Sequence, residues 1–206
     1  MDQTQDSMSQ GDTRRVVDEI EHARAQEYAL LATLLLGSPD GQMIEHLARL
    51  RGDATPLGGA HAALAESAVR TNAETVKQEY FDLFAGLGGG GLLPYASYYL
   101  TGSLYGRPLA RLRETLQSLG IEKAEGHSEP EDHAGILCGI MANLAGGHVM
   151  APAGADHALF EEHLAPWIGH FFSDLERAES ADFYARVGAV GRIFMDIETE
   201  AFTLPA

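Results

Sequence analysis

Apolar side chains recur at intervals of three and four along most of this chain, the spacing that gathers them on one face of an α-helix. The first run covers Val16 to Leu36, with Val17, Ile20, Tyr28, Leu31 and Leu35 on its stripe, and Gly37-Ser38-Pro39 ends it. Shorter helices are predicted at about 42–51, around Ile44, Leu47 and Leu50, and at about 59–69. Ala73, Val76, Tyr80 and Phe84 predict another that stops before Gly86. The run Gly86 to Gly91 and the following Leu92-Leu93-Pro94 read as a flexible loop delivering Tyr95, Tyr98, Tyr99 and Tyr105. Pro108 suits a first helical turn, Leu109, Leu112, Leu116 and Leu119 form the next stripe, and Gly120 stops it.

After a polar stretch at 121–128, Ser128 is placed to cap a helix and Glu131 to complete a capping box, with Pro130 in the first turn. Ile136, Leu137, Ile140, Met141 and Leu144 follow, up to Gly146-Gly147. Two helical stretches then cover about 156–164 and the segment after Pro166 that carries Trp167, Ile168, Phe171, Phe172 and Leu175. The last helix starts near Ser180 and bears Phe183, Val187, Val190, Ile193 and Ile197. No run alternates in the manner of a strand, so the expected class is all-α. The pattern divides into a loose acidic tail at 1–13, an amino-terminal helical lobe at 14–120, a linker at 121–128 and a carboxy-terminal lobe at 129–206.

Charge narrows the partners. The 206 residues include 14 basic and 30 acidic side chains, a formal charge of -16. Such an excess repels nucleic-acid phosphates and anionic lipid while attracting cationic peptides. Neither a secretion signal nor a span long enough for stable membrane insertion is read in the sequence, so a cytoplasmic location is expected. Arg14-Arg15 is followed by Val-Val-Asp-Glu rather than an apolar core and reads as helix surface.

Catalytic and metal chemistry find little support. Cys138, the single cysteine, sits in an apolar run and reads as a packing residue. The glycine run lacks the lysine and hydroxyl of a phosphate-binding loop. His157, His163 and His170 are spaced by six and seven, which does not align them on one helix face, so no metal site is expected. The segment Glu129-Pro130-Glu131-Asp132-His133 reads first as a helix start. Its aspartate could also engage a guanidinium group, and its histidine could change charge near neutral pH.

These segments together resemble the TorD/DmsD family of redox-enzyme maturation chaperones, more distantly the NarJ type. The resemblance runs through Glu79-Tyr80-Phe81-Asp82-Leu83-Phe84, Leu93 to Tyr99, Pro108 to Arg113, the Glu129–His133 motif, His163-Leu164-Ala165-Pro166-Trp167 and Phe183-Tyr184. It implies a helical bundle of two lobes joined by a linker, without an enzyme's catalytic set or an assigned cofactor site. The implied partner is the precursor or apo catalytic subunit of a molybdenum-cofactor oxidoreductase, gripped through its twin-arginine leader. Homodimers, including domain-swapped ones, are also in the family's range. By the same resemblance, Tyr80, Phe84, Pro94, Tyr95, Tyr98, Glu129, Asp132 and His133 are the leader- or client-binding residues. The residues themselves leave two alternatives open, a helical adaptor without such a client and a small enzyme using Asp132 and His133.

Overall fold

A computed structural model of the chain describes residues 3–84, 91–123 and 128–203, with side chains from residue 19 onward within those ranges. Among the described residues, ten α-helices and one π-helical turn account for the regular structure. They are α1 (Gln3–Leu36), α2 (Gly41–Leu47), α3 (Pro56–Arg70), α4 (Ala73–Phe84), α5 (Ala96–Thr101), α6 (Arg107–Ser118), α7 (Ala134–Ala145), α8 (Ala155–Leu159), the π turn Phe160–Leu164, α9 (Ile168–Arg177) and α10 (Phe183–Thr203). No strand occurs among the described residues, only an isolated bridge between Tyr95 and His133. The all-α expectation holds.

Some helix ends follow local rules. Asp40 caps α2 by accepting the Met43 N–H at 2.8 Å, and Thr55 caps α3 by accepting the Gly58 N–H at 3.0 Å, with Pro56 in the first turn. α1 begins at Gln3, well before its apolar stripe and inside the stretch read as a loose tail. Propagation of a helix is far easier than its nucleation, so a packed stripe extends readily into polar neighbours. The far end of α1 is closed by two tyrosines. The Tyr184 hydroxyl donates to the Leu34 carbonyl at 3.0 Å and the Tyr80 hydroxyl to the Leu35 carbonyl at 3.1 Å, satisfying two of the acceptors a helix end leaves free.

α1 lies along α7, while α10 is flanked by α9 and α3. Leu31, Leu34 and Leu35 of α1, Leu137 and Met141 of α7 and Val187 and Phe194 of α10 belong to one contiguous buried cluster. The portions on either side of 121–128 thus share a core. Cys138 is fully buried in it, and burial pushes its thiol up to about 12, which leaves it inert as a nucleophile at neutral pH. The central residues of the expected linker, 124–127, lie outside the described residues, as do 86–90 of the expected glycine loop.

α9 and α10 approach closely because α10 carries glycine at the contact. A methyl group at Gly188 would meet the Glu176 backbone nitrogen at 2.5 Å, and one at Gly191 would collide with the Phe172 ring. Gly191→Ala is therefore expected to lower the unfolding free energy by roughly 1–3 kcal/mol, the usual cost of overpacking, despite alanine's better helix propensity. Chemical denaturation of the variant checks this; an unchanged or raised midpoint would contradict the close approach.

Candidate functional site

The motif at 129–133 is built differently from a capping box. α7 begins at Ala134, and its cap is His133, whose Nδ1 accepts the Gly135 N–H at 3.0 Å. Glu131 turns instead to Arg113, receiving Nε at 3.0 Å and Nη2 at 2.8 Å. Asp132 serves a distant helix. Its Oδ2 accepts the Ser97 N–H at 2.9 Å and its carbonyl accepts the Ala96 N–H at 3.0 Å, so it caps α5. The Pro94 carbonyl accepts the Ala134 N–H at 2.7 Å. Two adjacent side chains thus start two helices, and three bonds stitch the motif to the start of α5.

Burial alters what His133 can do. Its residue exposure is 5% and that of Asp132 is 1%. Desolvation drives the His133 imidazole down to about 4, against the opposing pull of the Glu129 and Asp132 charges. The ring therefore stays neutral across the physiological range and keeps Nδ1 free to accept. The expected charge change near neutral pH does not fit this setting.

Around His133 several of the expected site residues come together. The Tyr95 ring stands edge-on to the His133 ring with centroids 5.2 Å apart, and its hydroxyl donates to Glu129. Burial, then the Glu129 carboxylate, raises the Tyr95 hydroxyl well above its ordinary range. Burial, and then the charge of the same carboxylate, raise Tyr80. Tyr80 packs on Phe84 at 4.9 Å and on Tyr184 at 5.7 Å. Tyr80, Phe84, Tyr95 and Glu129 are all half-buried, while Pro94 is buried in the chain's turn into α5. Glu129 has no cationic partner among the described residues. Tyr98 does not join this group; it is exposed on α5 with its ring against Tyr99 at 5.9 Å.

Two clefts flank the motif. One, of about 300 Å³, has Leu36, Leu116, Ile121, Ile136 and Ile140 in its walls and Glu131 on its lining. Leu36 follows the residue whose carbonyl receives the Tyr80 hydroxyl, so this apolar groove lies near the Glu129 cluster. The other, of about 210 Å³, lies between α5 and α6, and its lining includes Leu100, Arg107, Arg111, Asp132, Glu162 and His163. His163 reaches it from the π turn, held by a 2.8 Å contact with the Thr115 hydroxyl. Sequence reasoning missed this cleft. Arg107 and Arg111 stand one turn apart, which was the available signal, yet only the placement of α5 gives that pair a facing wall.

Among the described residues, no group of three or more histidine, cysteine, aspartate and glutamate side chains is arranged to hold a metal ion. No described helix is long and apolar enough to cross a membrane.

The family model described as nitrate reductase delta subunit matches residues 50–173. The chain is 31% identical over 126 residues to the probable Tat proofreading chaperone DmsD of Haemophilus influenzae, covering 59% of this chain and 58% of that one. It is 29% identical over 124 residues to the chaperone protein TorD of Vibrio cholerae, covering 56% and 55% respectively. The alignments thus span little more than half the length of these relatives. A crystal structure of a candidate redox enzyme maturation protein from Archaeoglobus fulgidus superposes with a TM-score of 0.59 at 21% identity, over 84% of this chain and 93% of that one, and shares its fold. With the helical fold, the ordered motifs and a family match over more than half its length, the chain belongs to the TorD/DmsD group of the nitrate reductase delta subunit family.

Proposed function

We propose that this protein is a cytoplasmic maturation chaperone that binds the twin-arginine leader, the apo form, or both, of a molybdenum-containing oxidoreductase. It holds the unfinished client while cofactor is inserted, delays export, and makes or breaks no bond itself. The observation that carries this reading is Glu129, a half-buried carboxylate that accepts from the Tyr95 hydroxyl and has no cation of its own among the described residues. A guanidinium group fits that setting well, because it pairs with a carboxylate and also lies favourably over aromatic faces. The neighbouring groove of Leu36, Ile136 and Ile140 suits the apolar stretch that follows a leader's arginines.

Asp132 and His133 act in this reading as positioning residues, since both are buried and each holds a helix start. Their loss shifts Glu129 and Tyr95 through the backbone and also lowers stability. The family relatives named as TorD and DmsD chaperones support the general role, and the acidic balance of the chain favours a cationic ligand.

The test is calorimetric titration with leader peptides of the molybdoenzymes encoded beside this gene. Glu129→Gln keeps an acceptor for the Tyr95 hydroxyl but removes the charge, so leader affinity should fall by about 10–100-fold, corresponding to roughly 1.5–3 kcal/mol for one charged hydrogen-bonding group. Leaders that fail to bind the native chain, or bind Glu129→Gln equally well, would contradict the reading.

A further inference from the structure

The start of α10 is capped by a side chain from another helix. Glu79 of α4 accepts the Asp182 N–H at 2.8 Å and the Tyr184 N–H at 2.7 Å with Oε1, and the Phe183 N–H at 3.2 Å with Oε2. A carboxylate suits the positive end of a helix and satisfies amides that have no partner within it. Glu79 is half-buried and pairs with no cation among the described residues, so these amides are its partners.

A nearer cap was at hand. Asp182 stands just before α10, the place where a short carboxylate commonly receives the first free amides. Its own amide donates to Glu79 instead, across 103 positions of sequence, which brings a second negative charge close to the aspartate. A local cap would serve α10 alone equally well. What the remote one adds is a tie between α10 and α4.

That tie falls on the aromatic wall. Tyr184, whose amide Glu79 holds, packs its ring on Tyr80 at 5.7 Å and on Phe84 at 5.6 Å between centroids. The Tyr80 and Tyr184 hydroxyls end on the neighbouring carbonyls of Leu35 and Leu34, so both rings are also fixed to the end of α1. Leu36, the next residue of α1, lies on the wall of the apolar groove. With Glu79 and Tyr80 adjacent on α4, the grip on the α10 amides sets how deep Tyr80 and Phe84 sit beside that groove.

We infer that Glu79 is a positioning residue for client binding. Its carboxylate holds α4 on the start of α10, so that Tyr80 and Phe84 stand ready before the leader arrives, and it does not touch the leader itself. An aromatic wall ordered in advance spares the cost of ordering it on binding. The inference rests on the leader reading given above and adds to it the device that sets the wall.

Three variants separate positioning from a direct ion pair with the leader. Glu79→Gln keeps an oxygen for the Asp182 and Tyr184 amides and loses the charge. Glu79→Asp keeps the charge and withdraws it from the amides by one methylene, and Glu79→Ala removes both. Calorimetric titration of the folded full chain should find Glu79→Gln within about threefold of native leader affinity, and Glu79→Asp and Glu79→Ala about tenfold weaker. Glu198→Gln, several turns further along α10, loses stability at a distance from the wall and should keep native affinity. Cross-relaxation between the Tyr80 and Tyr184 ring protons, measured by nuclear magnetic resonance without leader, should persist in Glu79→Gln and fade in Glu79→Asp. The reverse order, with Glu79→Asp binding as the native chain does and Glu79→Gln weakened, would show a direct charge contact and overturn the inference. Native affinity in both Glu79→Asp and Glu79→Ala would overturn it too, and if Glu79→Ala does not fold, the order of the other two decides. A native chain that binds no leader removes the leader reading, and unchanged ring contacts in Glu79→Asp would then remove the hold on α4 separately.

Discussion

Replacing Glu198 with alanine is expected to lower the unfolding free energy by about 3–5 kcal/mol, among the largest effects available in this fold. Glu198 lies on α10 with 1% of its surface exposed. Arg24 of α1 reaches it with Nε and Nη2, each at 2.8 Å, and the buried Tyr28 hydroxyl donates to it at 2.8 Å. The same guanidinium touches Asp156 of α8 at 3.2 Å and lies 4.8 Å from the Phe202 ring centroid. Removing the carboxylate leaves the guanidinium's Nε and Nη2 without their acceptor, with only Glu21 at 2.6 Å and Asp156 at 3.2 Å on Nη1, and leaves the buried Tyr28 hydroxyl unpaired, which costs more than the pair contributes as a unit. Glu198→Gln, which keeps acceptor geometry for Tyr28, should lose less. Urea unfolding of both variants checks this; a change below about 1 kcal/mol for alanine would mean the network does not fasten α1 to α10.

Acidification is expected to destabilise the protein through His133. Its imidazole sits at about 4 in the folded chain against 6.5 for the free side chain. Above 6.5 both folded and unfolded states hold it neutral, and its contribution is complete. Between 6.5 and 4 the unfolded chain takes up a proton that the folded chain refuses, so stability is lost as the pH falls, levelling off below 4. The full loss is roughly 3 kcal/mol at about 1.4 kcal/mol per unit of difference. His163 is depressed by burial and adds in the same direction. His61 opposes both, because its hydrogen bond to Glu27 raises it, giving stability present below 6.5 and lost as the pH rises through its folded value. Stability measured between pH 7.5 and 4 for the native chain and for His133→Asn isolates the effect, since asparagine keeps a cap acceptor without titrating. The native chain should lose about 3 kcal/mol more than the variant; parallel curves would contradict the burial of a neutral ring.

The helices were legible wherever a broad apolar stripe met the core. Trp167 just before α9, Phe171, Phe172 and Leu175 of α9 and Val187, Val190 and Phe194 of α10 are buried as their spacing requires. α5 was not, because six residues from Ala96 to Thr101 are too few to display a period. The start of α7 was misplaced for a more instructive reason. Ser128 and Glu131 have the right types and spacing for a capping box, but Arg113 claims Glu131 and the α5 amides claim Asp132. Local rules rank local partners, and here distant ones win. The Arg24–Glu198 pair, separated by 174 positions, leaves no trace in sequence at all.

Of the candidate site, the motif and its aromatic company were legible as residue types, while their division of labour was not. Tyr80 and Tyr95 do gather around Glu129, and Asp132 and His133 adjoin them. Burial decides which of these can meet a ligand. Glu129 keeps partial access, His133 is committed to Gly135, and Asp132 is committed to Ser97 with its second oxygen buried. Burial of a single carboxylate depends on how the surrounding helices meet, which composition does not encode.

A double-mutant cycle tests the leader grip most directly. Leader affinity is measured for the native chain and Glu129→Gln, each against the native leader and one with both arginines replaced by glutamine. The account predicts that each single change weakens binding and that the second adds little once the first is made, a coupling of about 1.5–3 kcal/mol. Independent, additive losses would show that the arginines are held elsewhere.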